Sequence, residues 1–325
     1  VASVKNHPLA RAFLSLALVL ILGAVFNAEG TFFQWATHWD MLRQVSVYGI
    51  LACGMSVVII AGGIDLSVGS ILGLCAVTFS LLSMHQGMPD IIAIGGTLLL
   101  GTACGLVSGG AIARFRVQPF IATLAMMVFA RGLAKLISGG AKISTAVQLP
   151  DGTYHYVDTP HLFDVISARM AGDNLAVVTV IFGACLILVW IFLTHTPWGR
   201  QIYAVGGNEE AAFYAGIPVG RTKLLAYGFS GLTCGIAGIC QAAQELQGDP
   251  EAGATYELSA IAMVVIGGTS LQGGKGSIWL TLLGVLIIGN LEKILSINAV
   301  GEETRLMLTG AIILAAVLFQ RGTQS

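Results

Sequence analysis

What most limits the folds open to this chain is a repeated run of apolar residues, each near the twenty or so that a helix rising about 1.5 Å per residue needs to cross a hydrocarbon layer of roughly 30 Å. The runs lie at Ala12 to Phe26, Val45 to Ala61, Leu66 to Met84, Ile91 to Ala113, Phe120 to Ser138, Leu175 to Thr194, Leu224 to Ala243, Leu258 to Leu271, Ser277 to Leu295 and Leu306 to Gln320. With no water in such a layer, each backbone N–H and C=O must be paired inside its own segment, which a helix does. Charge is correspondingly scarce. Only 10% of the 325 residues are Asp, Glu, Lys or Arg and 55% are apolar, where a soluble domain carries about 25% charged residues. The expected fold is all-α, a polytopic membrane protein of about ten transmembrane helices with broken or short spans. No stretch between the runs is long enough for a separate soluble domain, so residues 1–325 are expected to form a single transmembrane domain.

The charges that remain are sorted by side. Lys5, Arg11, Arg114, Arg116, Arg200, Arg221, Lys223, Lys275 and Arg321 fall in alternate connections, together with Asp65, Glu209 and Glu210. Arg43, Lys142, Arg169, Lys293 and Arg305 fall in the others, with Glu245, Asp249, Glu251, Glu257, Glu302 and Glu303. Basic residues near short loops favour the cytoplasmic side, and acids count for little. The excess of basic residues in the first set therefore places it inside, with both termini cytoplasmic. Ala12 to Phe26 reads as a retained first span, because Phe26 breaks the small-residue pattern of a cleavage site ending at Ala28. Cys53, Cys75, Cys104, Cys185, Cys234 and Cys240 all lie within apolar runs, form no CxxC pair and read as small buried residues. No metal site is expected.

Three features stand out against this apolar background. Glycine pairs interrupt two spans in similar settings, Ile59-Ile-Ala-Gly-Gly-Ile-Asp-Leu66 and Val264-Val-Ile-Gly-Gly-Thr-Ser-Leu271, which reads as related helix breaks in a duplicated fold. Asp65 follows the first pair and precedes Ser67; its carboxylate suits a cap that accepts from the N–H of Ser67 or Val68, or a hydroxyl-binding group on a solute path. Gly62, Gly63, Asp65, Ser67, Gly267 and Gly268 are accordingly the candidate residues for a translocation path or gate. Arg131 and Lys135, four apart on one helix face, are expected to snorkel outward, with contact to a delivering protein or to the path as the other reading.

Between His195 and Lys223 lies the longest connection on the basic side, and its centre is written as a very short helix. Asn208 caps it, Glu209 and Glu210 suit its positive end, Ala211 and Ala212 favour helix, and Gly216 followed by Pro218 stops it. Two turns of helix are marginal alone in water, so something must pack on them; the Ala face suits a groove on a partner. Glu210-Ala-Ala-Phe-Tyr-Ala-Gly216 resembles the EAA-x-x-x-G coupling motif of permease subunits of ABC importers. The Ile-x-Leu-Pro half of the longer pattern is absent, which argues against the maltose-type permeases. GGIDLSVGS from Gly62, QPFIATL from Gln118, YAVGGN from Tyr203 and ELSAIAMVVIGGTSLQGG from Glu257 are similar, in that order, to ribose-type sugar permeases of the branched-chain amino acid/ribose permease superfamily.

That resemblance implies a permease subunit in a bacterial inner membrane, importing a sugar or sugar-like solute. It also implies a second permease subunit, a cytoplasmic ATP-binding cassette subunit that binds the ATP and Mg, and a periplasmic solute-binding protein. Asn208, Glu209, Glu210, Ala211, Ala212, Gly216 and Ile217 would then couple the chain to the ATPase. No cofactor is expected in the chain itself and no nucleic-acid partner. Gly273-Gly-Lys-Gly-Ser277 is no phosphate loop, since Thr269 stands where the leading glycine belongs and Gly276 follows the lysine. An ion-coupled secondary transporter is the main rival, although Asp65, Arg131, Lys135 and Glu292 are few ionisable groups for it. A membrane enzyme ranks lower, for want of paired carboxylates or a Ser/His/Asp set.

Overall fold

The computed structural model describes residues 8–148, 152–301, 303–308 and 310–311. Its principal helices are α1 (Pro8–Val25), α2 (Trp35–Ile60), α3 (Val68–Ser80, extended by a π-helical turn at Leu81–His85), α4 (Asp90–Phe115), α5 (Pro119–Ser138) and α6 (His161–Ser167). Then follow α7 (Val177–His195), α8 (Pro197–Gly207), α9 (Glu209–Tyr214), α10 (Val219–Glu245), α11 (Tyr256–Gly267) and α12 (Ile278–Ile297). Among the described residues seven helices are long and apolar enough to cross a membrane, at α2, α3, α4, α5, α7, α10 and α12; Leu9–Val25 within α1 and Tyr256–Gly267 are apolar but shorter. These nine correspond in order to the first nine runs. Most of the tenth, Leu306 to Gln320, lies outside the described residues.

The helix ends obey local chemistry. Pro119 opens α5, where a missing N–H costs nothing, and Gly139 closes it at φ +64, a left-handed conformation that a residue without Cβ takes freely. Alternate connections meet at the same end of the bundle. At one end the α4–α5 junction lies beside α9 and the start of α10, and α8 bonds the segment before α12; at the other, His85 bonds the Ser144 carbonyl at 2.9 Å and Asn298 donates to the Phe26 carbonyl at 2.8 Å.

Helices α2, α3 and α10 form the middle of the bundle, buried nearly all round, whereas α4, α5 and α7 expose Leu99, Leu136 and Leu188 on outward faces. Helices α4 and α10 pack backbone against backbone. A Cβ built on Gly101 would lie 3.0 Å from the Gly235 nitrogen, and one on Gly105 would lie 3.0 Å from the Gly231 nitrogen. The glycine-rich runs Gly101 to Gly105 of α4 and Gly231 to Gly238 of α10 therefore face each other. We expect Gly231→Leu to force α4 off α10 and lower the melting temperature of the solubilised protein by more than Gly110→Leu, whose Cβ would meet only the Leu224 side chain at 4.0 Å.

Residues 139–176 are not a bare loop, a point the apolar pattern missed. Ala146–Gln148 pairs antiparallel with Tyr154–Tyr156, and Phe163 of α6 stacks on Phe79 of α3 with centroids 4.9 Å apart. Ile143 then bridges to Gly248, and Lys142 pairs with Asp249 at 3.0 Å. The Lys142 ammonium is held above its ordinary pKa first by that hydrogen bond and then by the carboxylate's charge. Arg131 departs from expectation. Rather than snorkelling, its guanidinium turns onto the carbonyls of Pro250 and Ala252, while Lys135 pairs with Glu251 at 2.5 Å. Backbone carbonyls within reach satisfy the cation more cheaply than a stretched path to water. Asp249 and Glu251 are thus both paired within the chain, Glu251 on an exposed surface.

Candidate functional site

The short helix has the ends its sequence promised. Asn208 accepts from the Ala211 N–H at 2.9 Å, Gly216 takes φ +79, and the N–H of Ile217 returns to the Ala212 carbonyl at 3.0 Å. An ion pair of 2.7 Å between Glu209 and Lys223 ties α9 to α10. Its exposed face keeps part of the alanine face the sequence suggested and adds two aromatic side chains. Ala212 points inward and is buried, while Phe213 and Tyr214 stand out with Glu210, Ala211 and Ala215. In this helix of six residues Ala212 takes the inward position. A cleft of about 820 Å³ runs between α9 and the α4–α5 junction, lined by Arg116, Gln118, Pro119, Glu209, Phe213 and Tyr214 among others. Gln118 and Pro119, which begin one sequence motif, are thus part of the wall of this cleft.

Immediately before the cap, the end of α8 touches both helix breaks. A Cβ on Gly206 would overlap the Ile60 carbonyl and lie 2.7 Å from the Gly274 nitrogen. Gly274 in turn donates to the Ile60 carbonyl at 2.9 Å, and a Cβ on Gly273 would lie 2.8 Å from the Gly62 Cα. Tyr203, one turn earlier on α8, donates to the Gly276 carbonyl at 3.0 Å. Three backbones therefore cross with no side chain between them: the α8 end, the α2–α3 break and the α11–α12 break.

The breaks themselves are alike. Gly62 sits at φ +82 with N–H bonds from Gly62 to Ile59 and from Gly63 to Val58; Gly268 sits at φ +112 with bonds from Gly268 to Val265 and from Thr269 to Val264. Both are the same left-handed helix stop. The equivalence is one residue out of register with the sequence match, since the first glycine of one pair and the second of the other take the positive φ. Gly63 and Gly267 instead are close-contact positions: a Cβ on Gly63 would press on the Tyr227 hydroxyl and one on Gly267 on Leu280.

Asp65 is wholly buried. Its Oδ1 accepts from the Ser67 N–H at 3.0 Å and the Ser67 hydroxyl at 2.5 Å, and its Oδ2 accepts from the Ser230 hydroxyl of α10 at 2.8 Å. The first bond is the cap proposed from sequence; the last fixes the break to another helix. Ser230 is the twelfth residue of α10, so Asp65 lies roughly 16 Å along that helix from its start. The charge map had counted Asp65 with a surface connection. It is instead inside the bundle.

Among the described residues, then, a capped surface helix touches two breaks inside an apolar bundle. The model of a protein family described as the permease component of a branched-chain amino acid transport system matches residues 38–317. The chain belongs to this family. It is 38% identical to the ribose import permease protein RbsC of Escherichia coli (strain K12), over 95% of the chain and 93% of that protein. It is 37% identical to RbsC of Bacillus subtilis (strain 168), over 95% and 91%. The autoinducer 2 import system permease protein LsrD of Escherichia coli (strain K12 / DH10B) is 34% identical, over 83% and 79%. No solved structure matches the chain.

As a permease component the chain is a membrane protein and not itself an enzyme. Of the residues singled out from sequence, Asn208, Glu209, Glu210, Ala211, Ala212, Gly216 and Ile217 lie together on or beside α9, and Gly62, Gly63, Asp65 and Ser67 lie together at the first break. Gly267 and Gly268 end α11, near the second break. What the sequence reading of the permease missed is the joint between these groups, Gly206, Gly273 and Gly274, together with Tyr227, Ser230, Phe213 and Tyr214. The doublets Gly206-Gly207 and Gly273-Gly274 were the available signal, because adjacent glycines outside a lipid-facing stripe mark close backbone crossings.

Proposed function

We propose that the chain is the transmembrane permease subunit of an ATP-binding cassette importer, carrying a sugar or sugar-like solute across the bacterial inner membrane. A separate ATPase subunit, with its ATP and Mg, seats on Phe213 and Tyr214 of α9 from the cytoplasmic side. A periplasmic binding protein delivers solute to the opposite end, and a second permease subunit completes the pore. Basic residues concentrated at the α9 end support that orientation, and the ribose and autoinducer 2 permeases among its relatives support the solute class. The observation that carries the reading is the contact of Gly206 with both breaks. Motion imposed on α9 passes through one residue, Asn208, and two glycines into the middle of the bundle, with no flexible side chain to absorb it.

The test is uptake of labelled ribose into vesicles holding the chain, its ATPase and its binding protein. Uptake that needs ATP supports the reading, and uptake driven by an ion gradient without the ATPase rejects it. A sharper expectation concerns Gly216. Nothing lies within 4 Å of a Cβ there, so bulk at this site meets nothing of the chain itself. Gly216→Asn, which tolerates positive φ, should keep uptake. Gly216→Trp should cut ATP-dependent uptake at least tenfold, with the chain still folded by circular dichroism. Equal uptake in the two variants would remove α9 from the ATPase interface.

A further inference from the structure

A second cleft, of about 460 Å³, opens between α3, α5 and the segment leading into α11, with Ser70, Arg131, Lys135, Thr255 and Glu257 set among largely apolar walls. Arg131 sits within about 4 Å of the midpoint of α5 along its axis. Its Nη1 and the Glu257 Oε2 lie against Gly73 and Gly69 of α3, one turn apart: a Cβ on either glycine would be 2.8 Å from the charged atom. Glycine at both positions makes room for the carbonyls of Gly253 and Ala252 and, beside them, for the two charged heads, a poor use of space on a face that meets only lipid. A charged side chain at that depth costs several kcal/mol against hydrocarbon, so the mouth of this cleft opens on water or protein. The backbone makes the same demand independently. Residues 250–255 are non-helical and run beside the α3 glycines, and irregular backbone at membrane depth persists only when packed in protein or lining a hydrated cavity.

With Lys135 paired to Glu251, the remaining charges, Arg131 and Glu257, balance. Arg131 and Ser70 bring donors to the walls and Glu257 brings an acceptor. A hydroxyl both donates and accepts, so such a surface fits a neutral polyhydroxylated solute better than an ion. We propose that this cleft is a hydrated stretch of the solute path and that Arg131, Glu257 and Ser70 hydrogen-bond the hydroxyls of the passing solute. The solute class rests on the import reading above; the hydration of the cleft does not.

Both halves are tested in the full-length chain in membranes. Val128 and Gly132 line the cleft, and a side chain at 132 has open space. Val128→Cys and Gly132→Cys should react with a membrane-impermeant cationic methanethiosulfonate at least tenfold faster than Leu188→Cys on the outward face of α7, the six native cysteines being buried. Rates no faster than at position 188 overturn the hydrated cleft and favour a face sealed by lipid or a second copy. Glu257→Gln keeps shape and should raise the KM for ribose uptake at least tenfold; an unchanged KM with both cysteines labelling overturns the solute contact. If wild-type vesicles take up nothing with ATP while both cysteines label, the cleft stands and the import reading falls.

Discussion

Gly206→Val is expected to abolish ATP-dependent uptake while leaving the bundle folded. The added Cβ would meet backbone on both sides, the Ile60 carbonyl and the Gly274 nitrogen, and these two are already hydrogen-bonded to each other. Neither is the end of a flexible side chain, so the three backbones must separate, at a cost of about 1–3 kcal/mol for overpacking. That is a small loss to a bundle whose interior helices are buried nearly all round. It is fatal to a joint whose stiffness is its use. The melting temperature of the solubilised complex should fall by a few degrees, ATP hydrolysis should continue, and uptake should drop at least tenfold. Gly207→Ala is the matched control, since its Cβ would rest 4.0 Å from the Gly274 Cα in ordinary contact. A Gly206→Val variant that hydrolyses and transports in the wild-type ratio would show that α9 does not act through this crossing.

The contrast between those neighbours marks what the sequence conveys and what it leaves dark. Hydrophobic run length located nine apolar helices among the described residues, seven of them long enough to cross, because the membrane imposes its thickness on each helix separately and no tertiary information is needed. The caps of α9 were equally legible, being set by residues at fixed offsets along the chain. Register between distant segments was not. Gly62 and Gly267 align in sequence, yet Gly62 and Gly268 share the left-handed position, because the stop is placed by where each helix runs into its neighbours. Phe213 and Tyr214 were passed over for a related reason: α9 is too short for periodicity to tell its inward from its outward face, so that choice falls to packing. Arg131 shows the limit for charges. A cation in an apolar run says that partners exist, and only the fold shows them to be the carbonyls of Pro250 and Ala252.

Asp65 separates a structural from a charge-bearing role, and Asp65→Ala should be among the most destabilising single changes in the chain. Removing the carboxylate strands the Ser67 N–H, the Ser67 hydroxyl and the Ser230 hydroxyl within the bundle, each buried donor left unpaired costing about 1–3 kcal/mol. The variant should express poorly or melt far below the wild type. Asp65→Asn keeps the shape. Its carbonyl oxygen holds both Ser67 bonds, its amide faces Ser230, and the Ser230 hydroxyl turns to accept from it while donating back along α10. Uptake within about twofold of wild type is then expected, with stability close to it. In that case the carboxylate serves to hold the start of α3 against α10, keeping the first break where Gly206 presses on Ile60. A folded Asp65→Asn protein that carries no solute would reverse this, for geometry would be intact and only the charge gone. The carboxylate would then belong to the path itself, and the break would be a gate as well as a hinge.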